Sequence, residues 1–327
     1  MERPWKIVVA DDRFPSYDEE RAVLSACDLA FPGQAELFAA CADADAILVN
    51  LAPIDAALIA RMKRCKVIAR YGVGYDNVDA AAAARAGIWV ANVPGYCDDE
   101  VAEHALALLL DLARGISAGD RGARAGSWAP GRGRKTLSGS VLGVAGFGGT
   151  AKALIRKCAG LGFAEILSWS PRVSGMEARD RIAREFGGQA GVRAVGFDEL
   201  LALADALSLH LPLVESTRRL IGAPELRRMK PGSLLVNVSR GGLIDESALA
   251  AALESGSLGG AGLDCFETEP LPLASPLLGS PSLVISPHTA FYSRRALSEL
   301  KRRTAENALA TLRDGKPLWP VNEPTRA

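Results

Sequence analysis

Residues 144–151 read VAGFGGTA, and Gly146-Phe147-Gly148-Gly149-Thr150-Ala151 fits the pattern G-x-G-x-x-G/A. A hydrophobic run precedes the turn and a helical pattern follows it, the context in which such a turn binds a dinucleotide. Gly146 permits the tight turn, and Gly148 lets backbone approach a pyrophosphate. Ala151 is small enough for the helix to pack on the strand. The free N–H groups of Gly149 and Thr150, at the helix start, would hold the phosphates. A glycine turn with a purely structural duty is the other reading of these residues alone.

The next strand end bears on which dinucleotide would fit. An acid about 20 residues beyond the turn accepts the ribose hydroxyls of NAD. The sequence there reads Ile166-Leu167-Ser168-Trp169-Ser170-Pro171-Arg172, with no acid between Glu165 and Glu177. Ser170 takes the ribose-facing position and Arg172 stands close behind. An acid would repel a 2′-phosphate, whereas a Ser with a nearby Arg accepts one. Pro171 leaves two directions open for Arg172, toward that phosphate or toward solvent. The pattern tilts toward NADP use, or use of both cofactors.

Other chemistries find little support. The six cysteines are scattered without a C-x-x-C pair, and the three histidines show no zinc-ligand spacing. No metal is expected, and the thiols read as free and buried in a reducing cytoplasm. Lys plus Arg equals Asp plus Glu at 38 each, so net charge gives no pull toward nucleic acid or membrane. The opening MERPWKIVVADD has too short an apolar run for a signal peptide. The longest apolar run, ALALLLDLA, reads as a buried helix rather than a membrane span. GDRGARAGSWAPGRGRK (119–135) is rich in Gly and Arg. Without regular aromatic interleaving it reads as an exposed arm or loop, not an RNA-binding segment.

These residues need elements to place them. The length of 327 residues suggests about two domains of roughly 150 residues. KIVVA (6–10), AILVN (46–50), KVIARY (66–71) and IWVANVP (88–94) read as strands, with helical patterns such as 55–63 and 76–87 between them. After a long helix near 100–116 the alternation restarts. LGVAG (142–146), AEILSWS (164–170), ALSLHLPL (206–213), SLLVNVSR (233–240), GGAGLDC (259–265) and SLVISP (282–287) are its strands. Helices are expected at 148–162, 246–256 and 293–315. Strand–helix alternation predicts two α/β units with parallel sheets, and the glycine turn opens the second.

Four blocks together resemble the D-2-hydroxyacid dehydrogenase family over nearly the whole chain. They are ARYGVGYDNVD (69–79), the glycine turn, NVSRGGLIDESALAAAL (237–253), and GLDCFETEP (262–270) with SPHTAFYS (286–293). NVPGYCDDEVAEHALALLL, PHTAFYS and the opening KIVVADDRFPSYDEER are most similar to the C-terminal-binding-protein-type branch. The resemblance implies a dinucleotide domain of Rossmann-like type (105–292) inserted into a discontinuous flavodoxin-like substrate domain (1–104 and 293–327). It also implies NAD or NADP as cofactor, a small 2-keto or 2-hydroxy acid as substrate, and a homodimer with 119–135 as a contact. No room is expected after the last helix for an appended regulatory domain.

The resemblance further implies a catalytic trio, and each member has a chemical case. Arg240 follows a strand, and its planar fork suits a carboxylate and can polarise the adjacent carbonyl. His288 follows Pro287 at another strand end and can donate a proton near neutral pH. Glu269, immediately before Pro270, would hydrogen-bond His288, with Glu267 as its rival. A carboxylate beside an imidazole favours the imidazolium. Asp264 would hold a nicotinamide carboxamide. Tyr71, Gly72, Val73 and Gly74 would line the substrate, with Val73 also near the nicotinamide, and Phe291 would keep the pocket aromatic. Leu211 and Pro212 would flank the adenine, and Val238 and Ser239 would meet the cofactor through backbone. His104 and His210 match no catalytic position and read as structural.

Two departures stand out. Gly149 and Thr150 replace the usual Arg and Ile after the second turn glycine, which removes a cofactor contact. Ser170 replaces the usual acid. The expected activity is hydride transfer between NAD(P)H and a small 2-keto acid. A dinucleotide-sensing co-regulator that binds protein partners is the alternative.

Overall fold

The structure, a computed structural model, describes residues 3–11, 14–33, 35–128, 135–172, 175–187 and 191–325. In chain order the first unit contains β1 (Lys6–Val9), α1 (Asp18–Val23), β2 (Asp28–Ala30), α2 (Leu37–Cys41), β3 (Ala46–Val49), α3 (Ala56–Ile59), β4 (Val67–Arg70), α4 (Ala80–Arg85) and β5 (Trp89–Ala91). The second opens with α5 (Asp98–Arg114), α6 (Ile116–Arg124), β6 (Val141–Ala145), α7 (Gly149–Cys158), β7 (Glu165–Trp169), α8 (Gly175–Phe186) and β8 (Val192–Ala194). It continues with α9 (Phe197–Leu203), β9 (Ala206–Leu209), α10 (Ala223–Arg228), β10 (Ser233–Asn237), α11 (Glu246–Glu254), β11 (Leu258–Leu263) and β12 (Leu283–Ile285). The chain then returns to the first unit through α12 (Arg294–Asp314).

Each unit is built on one parallel sheet. The strand orders are β2-β1-β3-β4-β5 and β12-β11-β10-β9-β6-β7-β8, and every pairing is parallel. The expected α/β class with two parallel-sheet domains is what the chain adopts. β3 and β10 are buried at every residue, as strands covered by helices on both faces must be. Full burial of each such Val, Leu or Ile contributes about 1.5–3 kcal/mol. One core gathers Ile47, Leu58 and Ile68, and the other gathers Leu207, Leu209, Leu235 and Leu263.

The first unit runs to Tyr96 and resumes at Ser293, and the second spans Cys97–Tyr292. The first crossing thus falls at 96/97 rather than at 104/105, because the whole of α5 packs on α7, β10 and β11. Glycines on β11 allow that approach. A Cβ at Gly260 would stand 3.1 Å from Leu112 Cδ2, and one at Gly262 would stand 3.0 Å from Leu108 Cβ. Ser293 caps α12 by accepting the Ala296 N–H at 2.9 Å.

Local pattern missed the short edges. β2 and β8 are three-residue edge strands, too short to show alternation. The 119–135 stretch is not loop throughout, since α6 continues to Arg124. Part of the stretch, 129–134, lies outside the described residues. Among the described residues no helix is long and apolar enough to cross a membrane. The six cysteines are free, and burial pushes the Cys158 thiol up to about 12.

Candidate active site

Strand order in the second sheet reverses between β6 and β9, the kind of switch point at which open α/β sheets bind ligands. The glycine turn leaves β6 there. Gly146 has φ +128°, and a Cβ on it would stand 2.2 Å from the His210 carbonyl oxygen, so only glycine fits. The Gly146 N–H donates to the Trp169 carbonyl at 2.6 Å, and the His210 N–H donates to the Ala145 carbonyl at 2.7 Å. Gly148 is exposed, with nothing within 4 Å of the place a Cβ would take. Beyond it α7 begins at Gly149, and the first N–H groups of a helix have no partner within it. Open backbone before a helix N-terminus fits the pyrophosphate of a dinucleotide.

Gly149 has a different cause. A Cβ there would stand 1.8 Å from Asp98 Oδ2, so Asp98 of α5 fills the space that a side chain would need. Burial, then Asp99 and Glu100, push the Asp98 carboxyl above the usual range. Thr150 Oγ1 lies 3.2 Å from His210 Nδ1, and His210 Nε2 lies 2.9 Å from Ser208 Oγ. Burial lowers the His210 ring to about 4, so it is neutral at pH 7 and supports the turn from behind.

At the end of β7, Ser170 is half-buried and joins Phe147, Ser168, Ala178 and Ile182 around a small cleft. Arg172 is exposed, and its backbone N–H donates to Ser170 Oγ at 3.4 Å. Ser170 therefore stands beside Phe147 of the glycine turn.

The loops after β10, β11 and β12 bring the proposed trio to one end of the second sheet. His288 Nδ1 lies 2.7 Å from Glu269 Oε2, and Glu269 Oε1 accepts the Phe266 N–H at 3.0 Å. Glu267 instead pairs with Arg219 at 3.3 Å, which settles the choice between the two acids as partner of His288. Partial burial pushes the Glu269 carboxyl up. The His288 ring, the Phe266 N–H and the Arg240 charge outweigh it and hold the carboxyl below the usual range. Both His288 and Glu269 keep about a third of their side-chain surface exposed, at 34% and 33%. His288 has φ +54°, a conformation few non-glycine residues adopt and one found at functional sites. Asn237 Nδ2 donates to the Arg240 carbonyl at 2.8 Å and fixes the start of that loop.

Sequence reasoning passed over Gly241. A Cβ on it would stand 1.8 Å from the Phe266 carbonyl carbon, so the Arg240 loop rests directly on the chain leading to Glu269. The paired glycines after Arg240 were the available signal. Asp264 is buried, and its carboxylate already holds three donors. Ser286 Oγ–H and the Thr289 N–H reach Oδ1 at 2.6 and 2.9 Å, and the Ala290 N–H reaches Oδ2 at 2.9 Å. Its observed task is to hold the His288 loop, and a carboxamide contact would be additional.

Other expected residues divide. Val238 is buried at the end of β10, and Ser239 Oγ donates to the Leu209 carbonyl at 2.8 Å. Pro212 is exposed, whereas Leu211 is buried in the hydrophobic core. Phe291 is half-buried and meets Tyr292 edge-on at 6.2 Å. Tyr71, Gly72, Val73 and Gly74 lie in the first unit. There Val73 is exposed, whereas Tyr71 is buried and donates its hydroxyl to Glu20 at 2.9 Å. Tyr71 is a core residue rather than a pocket wall, because its hydroxyl satisfies a buried carboxylate. Among the described residues no group of His, Cys, Asp and Glu is arranged to hold a metal ion.

The family model for the D-isomer specific 2-hydroxyacid dehydrogenase NAD-binding domain matches residues 106–290. The chain belongs to that family. The chain is 38% identical to a glyoxylate reductase of Korarchaeum cryptofilum over 86% of this chain and 83% of that protein. It is also 38% identical to a D-3-phosphoglycerate dehydrogenase of Mycobacterium leprae, but spans only 52% of that protein's length. Among solved structures it resembles an NADPH-dependent glyoxylate/hydroxypyruvate reductase of Sinorhizobium meliloti in complex with NADP and malonate. That match has a TM-score of 0.84, 28% identity, and covers 100% of this chain and 99% of the other. These matches carry the family and do not single out its C-terminal-binding-protein-type branch.

Proposed function

We propose that the chain reduces a small 2-keto acid to its D-2-hydroxy acid, with Arg240 binding the carboxylate and His288 protonating the carbonyl oxygen. The observation that carries this reading is the His288–Glu269 pair, with a ring nitrogen to carboxylate distance of 2.7 Å. With Nδ1 bound to Glu269, Nε2 is the nitrogen left to serve a substrate, and Glu269 steadies the imidazolium before it gives up its proton. Arg240 supplies a charge that orients the acid and draws electron density from the neighbouring carbonyl. A bound nicotinamide supplies the two electrons of the reduction. The backbone of Gly148, Gly149 and Thr150 holds its pyrophosphate, and Val238 and Ser239 meet it near β10. Ser170, with no acid beside it, favours NADP or tolerance of both cofactors. The unit holding Val73 serves as the substrate domain.

Glyoxylate is the first substrate to test, followed by hydroxypyruvate, pyruvate and bulkier keto acids, each with NADH and NADPH. His288→Ala and Arg240→Ala are each expected to lower kcat/KM by about 10²-fold or more. Turnover that survives unchanged in both variants would overturn the assignment. Cofactor binding without turnover on any acid would favour the co-regulator role. A homodimer also fits, since Ile116, the first residue of α6, and Trp128, which follows that helix, are 67% and 94% exposed. Light scattering on the purified protein reads the dimer mass directly. Six free cysteines suit a reducing cytoplasm.

A further inference from the structure

His104 lies outside the trio, yet it reaches the loop that carries His288. It stands on α5 four residues before Leu108, the side chain that approaches Gly262 of β11. Residues four apart share a helix face, so the packing of α5 on β11 also carries His104 toward the ends of β11 and β12. There His104 Nε2 lies 2.7 Å from Ser286 Oγ and 3.5 Å from Asp264 Oδ1. Ser286 donates its only hydroxyl proton to Asp264 Oδ1 at 2.6 Å. Its oxygen can then only accept from His104, so Nε2 of His104 carries a proton and is the donor.

The chain of contacts ends at the proposed proton donor. Asp264 grips residues 286–290 through both carboxylate oxygens, and its backbone carbonyl accepts the His288 N–H at 2.8 Å. His288 therefore sits in its unusual backbone conformation inside a loop held at several points by one buried residue. We propose that His104 is a positioning residue for His288. It donates to Ser286, which completes the shell around Asp264 and sets the loop, so that Nε2 of His288 meets the carbonyl oxygen at the right angle. The inference rests on His288 being the proton donor. It moves no proton from His104 to substrate, because Asp264 and the backbone intervene.

The test uses the full chain with glyoxylate and whichever of NADH or NADPH supports turnover. His104→Leu removes the donor, whereas His104→Gln keeps a neutral N–H at similar reach. His104→Leu is expected to lower kcat, per cofactor-binding site, by about 10- to 100-fold. KM for glyoxylate should stay within about twofold, because Arg240 still binds the acid. The solvent deuterium isotope effect on kcat should rise as proton donation becomes slower. His104→Gln should recover most of the rate. Ser286→Ala breaks the next link, so the double variant with His104→Leu should lose little more than Ser286→Ala alone. Unchanged kcat in His104→Leu, additive losses in the double variant, or no rescue by Gln would each overturn the proposal. Should His104→Leu not fold, Gln and Ser286→Ala still decide it through their rates and isotope effects. His288→Gln separates the two levels. Full activity there sinks the proton-donor reading, whereas loss there with an unaffected His104→Leu sinks only this one.

Discussion

At the scale of single residues, Glu269 has a direct pH consequence. Burial raises its carboxyl, but His288, the Phe266 N–H and Arg240 together hold it below its usual 4.5. A carboxyl lowered in the folded protein stabilises the fold above the ordinary carboxyl pKa. That contribution disappears as pH falls through the lowered value. Glu269 thus stays ionised across the neutral range, and activity lost between pH 5 and 8 has another source. Glu269→Gln keeps the shape and removes the charge beside the ring. It should lower kcat by about tenfold or more in steady-state assays with glyoxylate. Unchanged kcat in Glu269→Gln would show that the carboxylate beside the ring does not serve the reaction.

At the scale of elements, two close approaches determine whether the turns can meet their ligands. The Arg240 loop touches the Phe266–Glu267 backbone only because position 241 has no side chain. A Cβ would come within 2.3 Å of the Glu267 nitrogen as well. Gly241→Ala must push the loops after β10 and β11 apart. It should cost about 1–3 kcal/mol of stability, read by urea unfolding, and lower kcat through both Arg240 and Glu269. The start of α7 is similarly tied to the start of α5. Gly149→Ala should weaken cofactor binding in a fluorescence titration, because the new methyl meets the Asp98 carboxyl. Asp98→Ala should recover that loss, so the double variant departs from additivity. Additive effects would mean that Asp98 moves aside freely.

At the scale of the whole molecule, the first unit is closed by pieces from both ends of the chain. Lys301 of α12 is 3% exposed and pairs with Glu19 and Glu20 of α1, with Glu20 Oε2 at 3.6 Å. Glu20 is fully buried and also accepts the Tyr71 hydroxyl. Burial pushes the Glu20 carboxyl up, against the opposing pull of the backbone, the Lys301 charge and the Tyr71 hydroxyl. Lys301→Met should destabilise the protein by about 3 kcal/mol, because a buried charge loses its partner. Unfolding followed by Trp fluorescence measures this, since Trp5, Trp89 and Trp319 all lie in the first unit. Much of the architecture was nevertheless legible in the order of residues. Continuous apolar runs such as AILV and SLLVN mark strands buried on both faces, and the glycine turn with its following helix is a local pattern. The strand-end positions of Arg240 and His288 follow from those runs. Tertiary structure alone assigned Leu211 and Tyr71 to cores, set α5 wholly with the second unit, and paired Glu267, the rival acid, with Arg219. It also placed Asp98 against Gly149 and His104 against Ser286. The difference is physical. Periodicity and turn chemistry depend on neighbours in the chain, whereas a hydrogen bond between residues 104 and 286 exists only once packing has brought two distant segments together.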